Sequence, residues 1–136
     1  MTPQAETHPS APDPRLRGRT YAISFDRVWT AALTLAGGGG SGALPHWRLL
    51  SADDKQGVIL VEAVSVLRRK RSLVRVRISL DTNAQTRVDL LSGSPGRTDW
   101  GSNARRVDRF LRELDQRLSA TPAQILDPTR QLLFTA

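Results

Sequence analysis

The sequence predicts an α+β domain in which two helices pack on one face of an antiparallel sheet, in the order β-α-β-β-β-β-α. Two observations carry this. Apolar residues recur at spacings of three and four in an early segment (Phe25, Val28, Trp29, Ala32, Leu33, Ala36) and a late one (Ala104, Val107, Phe110, Leu111, Leu114, Leu118), the period of an amphipathic helix. Between them lie β-branched or strictly alternating runs separated by turn residues, the period of strands. Strands followed by a helix, with short connections, favour layers of the α+β kind.

The elements follow in order. Residues 1–18 carry Pro3, Pro9, Pro12 and Pro14 among small polar residues and are expected to form a disordered tail. Thr20-Tyr21-Ala22-Ile23 reads as a short strand. Ser24 is the expected N-cap of the first helix, with Asp26 favoured in its first turn by the helix dipole. The glycine run from Gly37 to Gly42, broken only by Ser41, ends that helix and lacks the spacing and lysine of a phosphate-binding loop. Trp47 to Ser51 makes the next strand, with a turn at 53–57, and Val58 to Val66 a central strand whose one charge is Glu62. Leu67-Arg68-Arg69-Lys70-Arg71-Ser72 is read as the connection to a strand in which Val74, Val76, Ile78 and Leu80 alternate with Arg75, Arg77 and Ser79. After a turn at 81–85, Val88 and Leu90 alternate with Arg87 and Asp89, and a hairpin register places Arg77 opposite Asp89. In the late helix, Asp108 with Arg112 and Glu113 with Arg117 are acid-before-base pairs four apart, and Thr121-Pro122 is its expected stop. The domain is thus expected over 19–120, with 121–136 a C-terminal extension docked by Ile125, Leu126, Leu132, Leu133 and Phe134.

A chain of 136 residues that is 39% hydrophobic and 24% charged is long and apolar enough for one core. Its longest uninterrupted apolar run, Val58-Ile59-Leu60-Val61, is too short to span a bilayer. The first residues lack the basic start and apolar stretch of a secretory signal, so a soluble cytoplasmic protein is expected. The absence of cysteine excludes disulfides, thiol nucleophiles and thiolate metal sites. A net charge of +7 attracts phosphates, nucleic acid and anionic lipid. Of the 20 basic residues all but Lys55 and Lys70 are arginine, a skew that also fits GC-rich codon usage.

The densest charge run, Arg68, Arg69, Lys70 and Arg71, reads either as a contact for nucleic acid or an anionic membrane surface, or as a solvated connection that keeps two apolar strands from misassociating. Aromatic residues are too few, at 5%, to build a base-stacking strand. Histidine occurs only at His8 and His46, no nucleophile elbow is present, and adjacent turn residues Asp53 and Asp54 point apart. No catalytic residue, metal ligand or cofactor is therefore assigned, and the balance leans away from an enzyme.

One stretch is more specific. Thr86-Arg87-Val88-Asp89, followed by Gly96-Arg97-Thr98-Asp99-Trp100-Gly101-Ser102-Asn103-Ala104-Arg105-Arg106-Val107, resembles the family called domain of unknown function 1499, an uncharacterised bacterial and plastid domain. The order from Phe25-Asp26-Arg27-Val28-Trp29 through Val74-Arg75-Val76-Arg77 is similar too, so the resemblance spans residues 21–118. The family sets arginines after the strand, where this chain has Leu91-Ser92-Gly93-Ser94-Pro95. The resemblance implies a fold and a shared motif, and no activity. Within the motif two readings stand. Backbone N–H groups at the helix start, with Arg97, Arg105 and Arg106, suit an anion pocket; alternatively Asp99 and Asn103 shape a tight turn and cap the helix. The expected function is a non-enzymatic binding or interaction module for a small acidic or apolar ligand. It would use this loop, the uncovered sheet face or a concave pocket between last helix and sheet. The alternative is a basic accessory protein on nucleic acid or an anionic membrane.

Overall fold

The computed structural model describes residues 4–38, 42–64, 71–94 and 100–126. Among these residues a seven-stranded antiparallel sheet is backed by two helices, the expected α+β class. Its strands are β1 (Gln4–Glu6), β2 (Arg19–Tyr21), β3 (Trp47–Asp53), β4 (Val58–Val64), β5 (Arg71–Leu80), β6 (Thr86–Gly93) and β7 (Ile125–Leu126). They run in the order β3-β4-β5-β6-β2-β7, and β1 pairs with β6 beyond the reach of β2.

The alternation of β5 decides which face is covered. Ser72, Val74, Val76 and Ile78 are buried while Arg71, Leu73, Arg75, Arg77 and Ser79 are exposed. Register carries that face sideways: Val61 faces Val74, Ile59 faces Val76, and Val76 in turn faces Leu90. Against it lie helices α1 (Phe25–Leu33) and α2 (Trp100–Arg117). All six residues of the late apolar stripe are buried, and Phe110 stacks on Trp47 with ring centroids 5.5 Å apart. On α1 the buried face is turned toward Ala31, and Phe25 and Trp29 lie half-buried at its margin, stacked on each other. A part-buried polar tie joins α2 to β2. Asp115 accepts from the Tyr21 hydroxyl at 2.5 Å and pairs with Arg19 at 2.9 Å.

The structure corrects several expectations. Residues 4–18 are an ordered part of the sheet edge. The Thr7 amide donates to Leu90 O (2.9 Å), and the Leu90 amide donates back to Thr7 Oγ1 (3.0 Å). Asp13 accepts from the Arg15 amide and opens one turn of 3-10 helix, Pro14–Leu16. The same Arg15 holds the Asp13 carboxyl below its usual range by side-chain hydrogen bonding. Ala5 and Leu16 are buried. A proline-rich segment follows this path because its fixed φ angles lower the entropy of ordering, while β6 offers backbone groups that no other strand reaches. Gly18 permits the close approach: its φ is +72°, and a Cβ there would lie 2.5 Å from Arg87 Nη2 and 2.8 Å from Val88 O.

Other corrections are local. Ser24 makes no side-chain cap bond, although Asp26 does occupy the first turn of α1. That helix widens into a five-residue turn, Thr34–Gly38, and stops where Gly37 takes φ +105°. Strand β3 runs on to Asp53 past a bulge between Leu49 and Ser51. Strand β5 begins at Arg71, opposite Val64, so Arg71 belongs to the strand and not to the connection. Helix α2 ends before Thr121-Pro122. Ser119 adopts φ +49°, its amide bonds Gln116 O, and the Ala120 amide bonds Asp115 O, a Schellman termination. Asp108 and Arg112 pair at 3.0 Å, whereas Arg117 donates instead to Gly42 O. Within 121–126, β7 pairs with β2, while 127–136 lie outside the described residues.

Candidate functional site

The sheet face opposite the helices presents the residues that strand periodicity turned outward. Across β4 and β5 an aliphatic residue stands beside each arginine: Val64 opposite Arg71, Leu60 opposite Arg75, Val58 opposite Arg77. Leu73 is 62% exposed, and Leu60 and Val64 are exposed as well. Arg48 lies 3.6 Å from Glu62 and Arg75 lies 4.0 Å from Glu6, pairs that are weak where solvent reaches them. Among the described residues Arg71 and Arg77 make no ion pair.

Arg77 does face Asp89, as the hairpin register requires. The carboxylate is nevertheless committed elsewhere. Arg87, two residues back on the same strand, donates to both Asp89 oxygens (2.7 and 3.1 Å), and Thr7 Oγ1 donates to Oδ1 at 2.7 Å. Arg87 is itself 8% exposed and reaches Arg17 O at 2.6 Å and Thr20 Oγ1 at 3.3 Å. The result is a part-buried polar lock between β6 and the N-terminal segment. Beside it opens a cleft of about 220 Å³, lined by Glu6, Thr7, His8 and Pro9 on one side and by Arg75, Arg77, Asp89 and Leu90 on the other. A second groove, about 430 Å³ and shallower, runs between α1 and the end of α2, with Asp26, Arg27 and Arg117 on its walls.

The motif residues divide. Asn103 is fully buried, and its Oδ1 accepts from Ser92 Oγ (2.8 Å), Arg106 Nη1 (2.7 Å) and Ser94 Oγ (3.4 Å). Ser94 and Ser72 share a further hydrogen bond at 2.7 Å. This cluster stitches the start of α2 to β5 and β6, and every buried side-chain polar atom among the described residues has a partner. Arg106 belongs to it, whereas Arg105 is exposed. Arg97 and Asp99 lie outside the described residues, as do Arg68, Arg69 and Lys70; of the basic run, Arg71 alone is placed, on the outer face. The space between α2 and the sheet, where a concave pocket was expected, is filled by Val107, Phe110, Leu111 and Leu114.

His8 lines the cleft, its Nδ1 in contact with Ser10, and His46 occupies an exposed turn at φ +64°. Among the described residues no group of three His, Asp or Glu side chains gathers as a metal site. No described helix is long and apolar enough to cross a membrane. Arg75, Arg77, Glu6 and His8 escaped the sequence reading as site residues. The arginines were legible only as the solvent side of an alternating strand, and the wall opposite them comes from the segment read as a tail. No family model matches the chain, and no curated protein or solved structure matches it.

Proposed function

We propose that this protein is a non-enzymatic binding module that receives an acidic ligand or partner segment on the uncovered face of its sheet. The observation that supports it is the arginine row of β5. Arg71, Arg75 and Arg77 project from one strand onto a face that neither described helix covers, and two of the three have no ion pair among the described residues. Guanidinium groups held at strand spacing recognise planar or tetrahedral oxyanions through paired N–H donors, and a rigid sheet fixes their backbone, so that only the side chains remain to be ordered at binding. The start of α2 supports the reading less, since Asn103 there is engaged by Ser92 and Arg106. The proposed kinship with domain of unknown function 1499 is carried by the residues quoted above and implies no activity.

A second reading, a basic accessory protein on an anionic membrane, is favoured over one on nucleic acid by Leu60, Val64 and Leu73. Exposed aliphatic side chains suit a lipid boundary and offer nothing for base stacking. The test is an NMR titration of the full chain with a short poly-aspartate peptide, duplex DNA and anionic vesicles. Amide shifts confined to β4 and β5, lost in an Arg71→Glu/Arg77→Glu double variant, are the expected result with the peptide. Shifts centred on α2, or a response to DNA alone, would discard the proposal.

A further inference from the structure

Arg75 and Arg77 leave β5 on the same side, two residues and roughly 7 Å apart along the strand. The chain beyond β1 rises opposite them, fixed by the double exchange between Thr7 and Leu90, so that His8 and Pro9 form the far wall of the 220 Å³ cleft. Charge within it is unbalanced. Both oxygens of Asp89 are held by Arg87 and one also by Thr7, which neutralises that carboxylate inside the lock. Glu6 reaches Arg75 only at 4.0 Å, with both side chains about half exposed, and Arg77 has no ion pair among the described residues. Two guanidinium groups therefore line the cleft against two carboxylates, of which Asp89 is already balanced by Arg87 and Glu6 is loosely held.

We infer that this cleft is a phosphate-binding site, in which a terminal phosphate group is held between the guanidinium groups of Arg75 and Arg77. The inference rests on the reading that the uncovered face takes an acidic ligand, and it names the chemistry of that ligand. A phosphate monoester carries about −1.5 to −2 charges at neutral pH, which the two guanidinium groups balance once the phosphate displaces Glu6 from Arg75. Pockets that enclose drug-sized molecules run from about 300 to 1,000 Å³, so this cleft takes a phosphate group and leaves the rest of its bearer outside. The bearer is either a small soluble ester or a lipid with a bare phosphate headgroup, for which Leu60, directly opposite Arg75, would offer an aliphatic neighbour.

The proposal is tested on the full chain by NMR titration with inorganic phosphate at low ionic strength. Shifts at Thr7, His8, Arg75 and Arg77 are expected. Arg77→Ala should weaken binding about tenfold or more, the worth of a charged hydrogen-bonding partner, and Arg77→Lys should weaken it less while preserving charge. Because Glu6 competes for Arg75, Glu6→Gln should strengthen phosphate binding by about two- to fivefold. Both positions are on the surface, and an unchanged amide spectrum elsewhere verifies the fold of each variant. No response at these four residues, an affinity indifferent to Arg77→Ala, or a weaker Glu6→Gln variant overturns the assignment. A parallel arm adds phosphatidylcholine vesicles with and without phosphatidic acid. Vesicle binding that needs both phosphatidic acid and Arg77 places the phosphate on a lipid; phosphate binding without vesicle binding places it on a soluble ester. Should phosphate fail while poly-aspartate still shifts β4 and β5, the site falls and the face reading survives; failure of both removes both.

Discussion

Tyr21 is the single tyrosine of the chain, and its buried hydroxyl donates to Asp115. Burial, and then the hydrogen bond to that carboxylate, push its pKa far above the ordinary value near 10. The folded state therefore keeps a proton that the unfolded chain releases above about pH 10. Stability contributed by Tyr21 is intact below that pH and should decline by about 1 kcal/mol per pH unit above it. Denaturation midpoints measured across the alkaline range, beside a Tyr21→Phe control that lacks this slope, check the sign. Tyrosinate absorbance should appear only as the protein unfolds. At this scale the sequence showed an aromatic residue in a strand and a carboxylate on a helix, but not their contact, because 94 residues separate them.

Among the elements, the N-terminal segment departs furthest from its expected behaviour. Its composition reads as disordered because prolines and small residues dominate it, yet Leu16 is buried in the core cluster and the His8 amide is bonded to Leu16 O at 2.7 Å. Leu16→Ala should cost about 2–3 kcal/mol, the range for a buried leucine next to a site that partly collapses, whereas the same change in a flexible tail would be near neutral. A shift in the urea midpoint at constant slope is the expected readout. The two helices and four central strands, by contrast, were legible from period alone. What the period missed were their ends. The stop of α2 depends on Ser119 entering a left-handed conformation, which no local signal marks in a serine, and the cap expected of Ser24 is not made.

For the molecule as a whole, a net charge of +7 would steer an acidic ligand of the proposed kind toward the protein by long-range attraction. Association of the protein with the poly-aspartate peptide should slow steeply as salt rises from about 0.01 to 0.15 M, where the screening length contracts from about 30 to 8 Å, while dissociation changes less. Stopped-flow kinetics at a series of salt concentrations measures both rates, and an association rate indifferent to salt would remove steering from the account.

Read locally, the amino-acid order was sufficient for the class of fold, the identity of the central elements and the side of each that is buried. Those follow from repeats of two or about 3.6 residues, and a repeat needs only near neighbours. Three-dimensional packing alone decided which charges are spent and which remain available. Asp89 faces Arg77 across the hairpin, yet it binds Arg87 and Thr7, the latter 82 residues away. The cleft exists because that distant segment rises beside β6, across from the arginines of β5. The solvent side of an alternating strand is silent about what will stand over it, since hydrogen-bond partners far apart in sequence are chosen only when the sheet edge, the loop and the glycine that lets them approach are brought together.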